Sequence, residues 1–396
     1  MKAATASLAR LVAAASPNPP GDETRVAAVV AEEAKALGLP EPEVHARDAR
    51  RPNLIFRLGA GSPNLLLAAH TDTMPPGEIA AWRSDPYTLA ATGRRLTGLG
   101  VADMKASIAA TLYAAARILR APEPEGTLTL VFSADEENGS ADGMAWLAQE
   151  GMLTADAGVA TEPSSLGTES WESLFIAQRG SSVWSLAARG EPGHSAAQVP
   201  HERRASWAFA RALTALLDAP LFEEHVHPVD ETRSTVNVAT MVGGGIVPFA
   251  HPEALLATIE VRTIEGMTKE LVREELERCV RDAGLGDRVS VEAAPPPLDW
   301  LPPGETVRDE RLLVAAKGAW RAVLASEPRL RVLPAGTDSS YLQAAGIPAL
   351  PAFGPGSLAV AHRPNEWIPE LDLIRAIDLF ETLVHRYHRG GEGEVD

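Results

Sequence analysis

The stretch NLLLAAHTD, residues 64–72, decides how the chain is read. Leu65 to Ala69 form an unbroken apolar run, short enough for a strand and apolar enough to be buried on both faces. The run stops at His70, Thr71 and Asp72. A histidine and a carboxylate two positions apart at the mouth of a buried strand make either a capped turn or one edge of a metal site. Neighbouring segments favour the second. TLTLVFSADEENGS (127–140) and AGVATEPSS (157–165) repeat the pattern of an apolar strand that ends in carboxylates. DMKASIAATLYAAARILRA (103–121) has the spacing of a long helix. Helices alternating with buried strands specify an α/β domain with a mostly parallel sheet and helices on both faces. In such sheets, ligands collect at the carboxyl ends of the strands.

The texture changes near residue 180. SSVWSLAARG (181–190), TVNVATMVGGG (235–245), EALLATIEVRT (253–263) and RVSVEAAPPPL (288–298) alternate like half-exposed strands. ERRASWAFARALTALL (202–217) and MTKELVREELERCVRDAG (267–284) are amphipathic helices. These elements predict an inserted α+β domain over 181–296. The first domain is then discontinuous, 1–180 and 297–396, rejoined through the proline-rich APPPLDWLPPG (294–304).

Bulk properties narrow the classes. A chain of 396 residues exceeds one ordinary core. A formal charge of -17 argues against nucleic acid and anionic membrane as partners. The single cysteine, Cys279, excludes an internal disulfide and reads as a small core residue. Neither a signal peptide nor a membrane-spanning run is evident, so a cytoplasmic protein is expected.

The polar strand ends carry the chemistry: His70 and Asp72, Glu136 and Glu137, Glu162, with Asp103 before the long helix and His362 in AVAHRPNEW (359–367). Singly, each has a plain reading as a cap or a solvated turn. Together they would bury uncompensated negative charge unless cations balance it. A pair of divalent ions is the economical balance. Imidazole and carboxylate without thiolate suit zinc, cobalt or manganese. Residues i and i+2 of an extended segment share a face, which lets Asp72 steady the His70 ring.

These elements, H-x-D, GVADMK, DEE, TEP and H-x-x-N-E in this order, resemble the M20 family of dinuclear metallopeptidases and deacylases, which includes acetylornithine deacetylase and succinyl-diaminopimelate desuccinylase. The resemblance spans nearly the whole chain. It implies that His70, Asp103 and Glu162 hold one metal and that Asp103, Glu137 and His362 hold the other, with Asp103 bridging. Two divalent ions are implied, zinc first, with cobalt or manganese possible. Glu136 is implied as general base and Asp72 as the residue that orients His70. A cis peptide is implied at Asp103–Met104. The insertion is implied to be a lid that joins a homodimer. From it His194, in ARGEPGHSAAQVP (188–200), would stabilise the oxyanion in the partner's site. Asn237 and Arg262 match substrate-binding positions of the lid. Gly336 and Thr337, in AGTDSS (335–340), match a loop whose N–H groups could hold a carboxylate.

The leading expectation is therefore a metal-dependent amidohydrolase that removes an acyl group from an N-acyl amino acid. Glu at 162, where Asp is more usual in the peptidases, leans that way. A dipeptidase or carboxypeptidase with the same site is the alternative. A non-catalytic binding protein on this fold predicts a lost ligand or base, and none is missing. The acyl group is open at this point. Arg179, Arg203, Arg204 and Arg363 are candidates to receive an extra carboxylate.

Overall fold

A computed structural model describes residues 2–120, 126–167, 170–243 and 248–390. The chain forms two compact units. The first comprises Met1–Ala177, Glu305–Leu333 and Thr337–Asp396, and the second Gln178–Gly304 with Pro334–Gly336.

The first unit is built on a six-stranded sheet. Its strands are β1 (Glu43–His45), β2 (Asn53–Gly59), β3 (Asn64–His70), β4 (Thr127–Ser133), β5 (Ala157–Ala160) and a short strand late in the chain, Ala349–Leu350. The spatial order is β1, β2, β4, β3, β5, then Ala349–Leu350. β3 runs parallel to both β4 and β5, and Ala349–Leu350 runs parallel to β5; only β1 and β2 are antiparallel to their neighbours. The sheet is mainly parallel, as the sequence led one to expect.

Both faces are covered, which is why β3 is a continuous apolar run and β4 is buried at every position after its first. Ile55, Leu66, Ala68 and Val131 point to one face and pack with Met144, Leu147 and Leu342 from helices Met144–Gln149 and Ser339–Ala344. Their sequence neighbours point to the other face. There, helices Ala106–Leu119 and Glu370–His388 lie against β3. Parallel register sets His70 beside Ser133, and Ala68 beside Ala160. The polar residues that follow each strand therefore leave the sheet at one edge.

The second unit carries a four-stranded antiparallel sheet. Its strands are β6 (Gly180–Arg189), β7 (Thr235–Val242), β8 (Ala254–Thr263) and β9 (Val289–Ala293), in the order β7, β8, β6, β9. One sheet face supplies Trp184, Leu186, Ile259 and Val261 to a core shared with two helices. Helix Ala205–Asp218 adds Ala208, Ala212 and Leu216; helix Lys269–Asp282 adds Val272, Leu276 and Val280. Cys279 is buried in this core as a free thiol.

Candidate metal centre

His70 is the last residue of β3 and is 2% exposed. Its Nδ1 lies 3.0 Å from the Asp72 carbonyl oxygen and 3.4 Å from Asp72 Oδ1. Two acceptors on that side suit a proton on Nδ1, which leaves Nε2 as the nitrogen turned to the site. Nε2 stands 3.0 Å from Asp103 Oδ1 and 3.6 Å from Glu162 Oε1. The other oxygen of Asp103 faces the second histidine: His362 Nε2 is 3.2 Å from Asp103 Oδ2 and 3.1 Å from Glu137 Oε2. One buried carboxylate thus has an imidazole nitrogen on each oxygen. The Asp103–Met104 peptide is cis.

The backbone around these groups is fastened by side chains. Asp72 accepts from the N–H of Glu136 through Oδ1 and of Glu137 through Oδ2, both at 3.1 Å. Glu137 Oε1 accepts from Met74 N at 2.9 Å. Asp135, in the left-handed region at φ 65°, starts the turn and sends the adjacent side chains of Glu136 and Glu137 different ways. Glu137 faces His362, while Glu136 stays half-buried outside both His–carboxylate pairs.

Charge in this cluster is out of balance. Burial by itself would lower the His70 imidazole, but Glu162, Asp103, Asp72 and Glu136 raise it well above its ordinary value. Burial opposes the charge of His362 too, and Asp103 with Glu137 push it up to about 11. Burial and the crowding of Glu162, Asp338 and Glu137 raise Glu136 well above the carboxylate range, against the pull of His70. Glu162 is raised for the same reasons, burial first and Asp103 next. Carboxylates and histidines that are both raised above their ordinary values mark a crowd of buried negative charge that a cation would balance.

The donor set fits a divalent metal. Ligand atoms of His70, Asp103 and Glu137 lie within 4.8 Å of one another. Among the described residues no other group of His, Cys, Asp and Glu meets that test. The donors are imidazole nitrogen and carboxylate oxygen, which suit a borderline-hard ion.

The sequence pattern of Peptidase family M20/M25/M40 matches residues 66–386. The chain belongs to this family. It is a metal-dependent amidohydrolase, and the metal centre of the family is dinuclear. A succinyl-diaminopimelate desuccinylase of Methylobacterium sp. (strain 4-46) is 28% identical over 345 residues, 85% of this chain and 83% of the relative. The desuccinylase of Paracoccus denitrificans (strain Pd 1222) is 33% identical over 287 residues, 69% of each chain. Among solved structures, the M20 family metallo-carboxypeptidase Sso-CP2 from Sulfolobus solfataricus superposes with a TM-score of 0.80 at 19% identity, covering 98% of this chain and 100% of that one. At that identity the likeness speaks for the fold alone.

The remaining site candidates of this M20 enzyme belong mostly to the second unit. His194 is exposed at the end of the two-residue strand Gly193–His194, which pairs with Ala250–His251, and its Nδ1 accepts from Ala196 N at 3.1 Å. Asn237 is exposed on β7. Arg262 pairs with Glu260 at 2.7 Å. Arg203 is paired with Glu191, and Arg204 donates to the Val199 carbonyl oxygen, so both are occupied locally. Arg179 differs. Its Nη2 donates to the Arg233 carbonyl, but its buried Nε has no partner. Burial and the nearby Arg262 lower its pKa. Gly336 has room for no side chain: a Cβ would stand 2.3 Å from Leu301. Thr337, in the first unit, turns inward to the Pro351 carbonyl and accepts from Ser339 N at 3.3 Å, which occupies one N–H of the loop.

Several residues that shape the site were given no role by the sequence. Glu366 is 2% exposed and receives the N–H groups of Gly100, Ala102 and Asp103 at 3.0, 2.6 and 3.0 Å, which fixes the segment that presents Asp103. Asp338 accepts from Ser133 Oγ at 3.1 Å and from Ser140 Oγ, so it holds the Glu136 turn at both ends; burial pushes it up to about 6. Lys105 sits buried with its Nζ on the Ala14 carbonyl, and burial lowers it to about 7. Glu366 could have been suspected, since it closes the H-x-x-N-E element. Lys105 and Asp338 lie within GVADMK and AGTDSS, but their burial and their partners are not legible there.

Proposed function

We propose that this enzyme removes the acyl group from a small N-acyl amino acid. The observation that carries amide hydrolysis is the pairing of both Asp103 oxygens with histidines while Glu136 stands outside those pairs; the likeness to desuccinylases supports acyl removal over peptide cleavage. His70, Asp103 and Glu162 would hold one metal, and Asp103, Glu137 and His362 the other. Divalent ions bound by these residues would supply polarisation of an amide carbonyl and a lowered pKa for water. Glu136, with its raised affinity for a proton, takes one from the attacking water and returns it to the departing amine nitrogen. Asp72 keeps His70 in the tautomer that presents Nε2.

Zinc is the proposed ion, with cobalt or manganese as substitutes. Arg179 supports a substrate that carries a carboxylate, because a buried guanidinium nitrogen without a partner is costly until an acceptor reaches it; Arg262, now paired with Glu260, is proposed to share that carboxylate. Asn237, Gly336 and Thr337 are proposed to complete that grip. The second unit is proposed as a lid through which a homodimer forms. Its outermost strand β7 leaves Met241 and Val242 69% and 57% exposed, as an unpaired sheet edge awaiting a partner does. His194 then serves the second subunit's site as an oxyanion donor. No helix among the described residues is long and apolar enough to cross a membrane; a cytoplasmic location is proposed.

The test is amine release by zinc- or cobalt-loaded protein from N-acetyl, N-succinyl and longer N-acyl amino acids beside matched dipeptides. Release from one N-acyl class, abolished by a chelator, is expected. Release from dipeptides alone would overturn the deacylase reading in favour of a peptidase.

A further inference from the structure

A second buried polar cluster adjoins Asp72, and none of the roles above uses it. Asn18, Glu23, Arg51 and Asp135 are at most 8% exposed, although they come from three separate stretches of chain. Arg51 Nη1 lies 2.9 Å from Glu23 Oε1 and 3.1 Å from Asp135 Oδ1. Its Nη2 donates to Asn18 Oδ1 at 3.2 Å. The Asn18 amide then donates through Nδ2 to Asp72 Oδ2 at 2.9 Å and to Asp135 Oδ1 at 3.0 Å. Asp72 spends its remaining capacity on the N–H groups of Glu136 and Glu137 and on the His70 ring. Gly21, at φ +77°, passes so close to the guanidinium that a Cβ would stand 2.0 Å from Nη2.

The chemistry of each link is specific. Asp72 and Asp135 are two buried carboxylates within reach of one side chain. Only a neutral group with two N–H donors bridges them without adding charge, and an amide is that group. An amide has two faces, however, and flipped by 180° it would turn its oxygen on the carboxylates. The Arg51 cation on Oδ1 forbids the flip. We propose that Asn18 and Arg51 are positioning residues of the metal centre. Arg51 sets the face of the Asn18 amide, Asn18 sets the Asp72 carboxylate, and Asp72 sets both His70 and the Glu136–Glu137 turn. This rests on Asp72 being the residue that orients His70, as proposed above. It does not rest on the identity of the substrate.

A double-mutant cycle on the full-length protein tests it. The single variants Asn18→Ala and Asp72→Asn, and the double variant, are stripped by a chelator and titrated with zinc against a chromophoric competitor. Thermal midpoints are recorded beside them. Loss of a group that steadies a metal ligand from behind costs about 10- to 100-fold in metal affinity. Asn18→Ala is expected to weaken zinc by that factor, and to add less than about threefold when Asp72 is already Asn, since both changes break one chain of contacts. Unchanged zinc affinity in Asn18→Ala, with or without a lower midpoint, would overturn the proposal. So would losses that simply multiply in the double variant. If Asn18→Ala does not fold, Arg51→Lys takes its place. It keeps the positive charge but lacks the second nitrogen for Asn18, and is expected to weaken zinc in the same direction; unchanged affinity there overturns the proposal too. Zinc is read without substrate, so a failed deacylase panel leaves this result standing.

Discussion

The two sheets of this protein use the same residue types to opposite ends. β3 and β4 of the first unit are buried on both faces, and most of the ionisable groups that follow them are tied to other groups of the site, Glu136 excepted. Asp72 serves two N–H groups and a histidine, and Glu366 serves three N–H groups. In the second unit β8 is buried on one face only, and β7 is at most half-buried. Their polar residues, Asn237 and Arg262, stand on the side the core does not claim. The contrast teaches where each kind of chemistry belongs. Groups whose geometry must not vary are placed where burial makes an unpaired charge expensive. Asn237 and Arg262, proposed above to meet the substrate, stay exposed or half-exposed, where an unmade contact costs little.

The largest expected effects break the first side of this comparison. Glu136→Gln should lower kcat by about 10²- to 10⁴-fold while zinc content, read by atomic absorption, stays near that of the parent. His70→Ala should lose the zinc itself. Full turnover by Glu136→Gln would remove the base from the mechanism. On the other side, Leu276→Ala empties a fully buried position between helix Lys269–Asp282 and its sheet. It should cost about 2–5 kcal/mol in chemical denaturation. Zinc affinity should not move; if it did, the two regions would not be separable.

A smaller effect sharpens the electrostatic half. In the metal-free protein His362 holds its proton up to about pH 11, so zinc must displace that proton to bind. Zinc affinity should therefore rise with pH through the neutral range, about tenfold per unit for each proton released. Calorimetry in buffers of different ionisation enthalpy counts those protons, and a count of zero would contradict the assignment. The sign for folding is opposite. A histidine whose pKa is raised on folding stabilises the metal-free protein fully below about 6.5, and that contribution is lost as pH rises towards about 11. The smallest effect tests the exposed edge. Met241→Ala should change folding stability by less than about 0.5 kcal/mol, yet shift the sedimentation of a homodimer formed through β7 towards monomer.

Much of this was legible in the chain. NLLLAAHTD, TLTLVFSADEENGS and AGVATEPSS announce buried parallel strands, because a strand covered on both faces has no reason to alternate. They also announce where the chemistry sits, because a polar residue directly after such a strand emerges at the sheet edge. His70, Asp103, Glu137, Glu162 and His362 could be picked out on that logic and on their order. The lid candidates were harder to read: Arg262 and Arg179 look alike as letters, yet one is paired with Glu260 and the other keeps a buried nitrogen without a partner.

The sequence by itself determined the fold class and the identity of the groups at the strand ends, since hydrophobic period and strand-end polarity are local properties. Tertiary structure alone decided which distant side chains hold them in place. Asn18 and Arg51 behind Asp72, Asp338 across the Glu136 turn and Glu366 beneath Asp103 are ordinary polar residues in the sequence. They matter only because folding buries them against one another, and burial is a property of the whole chain.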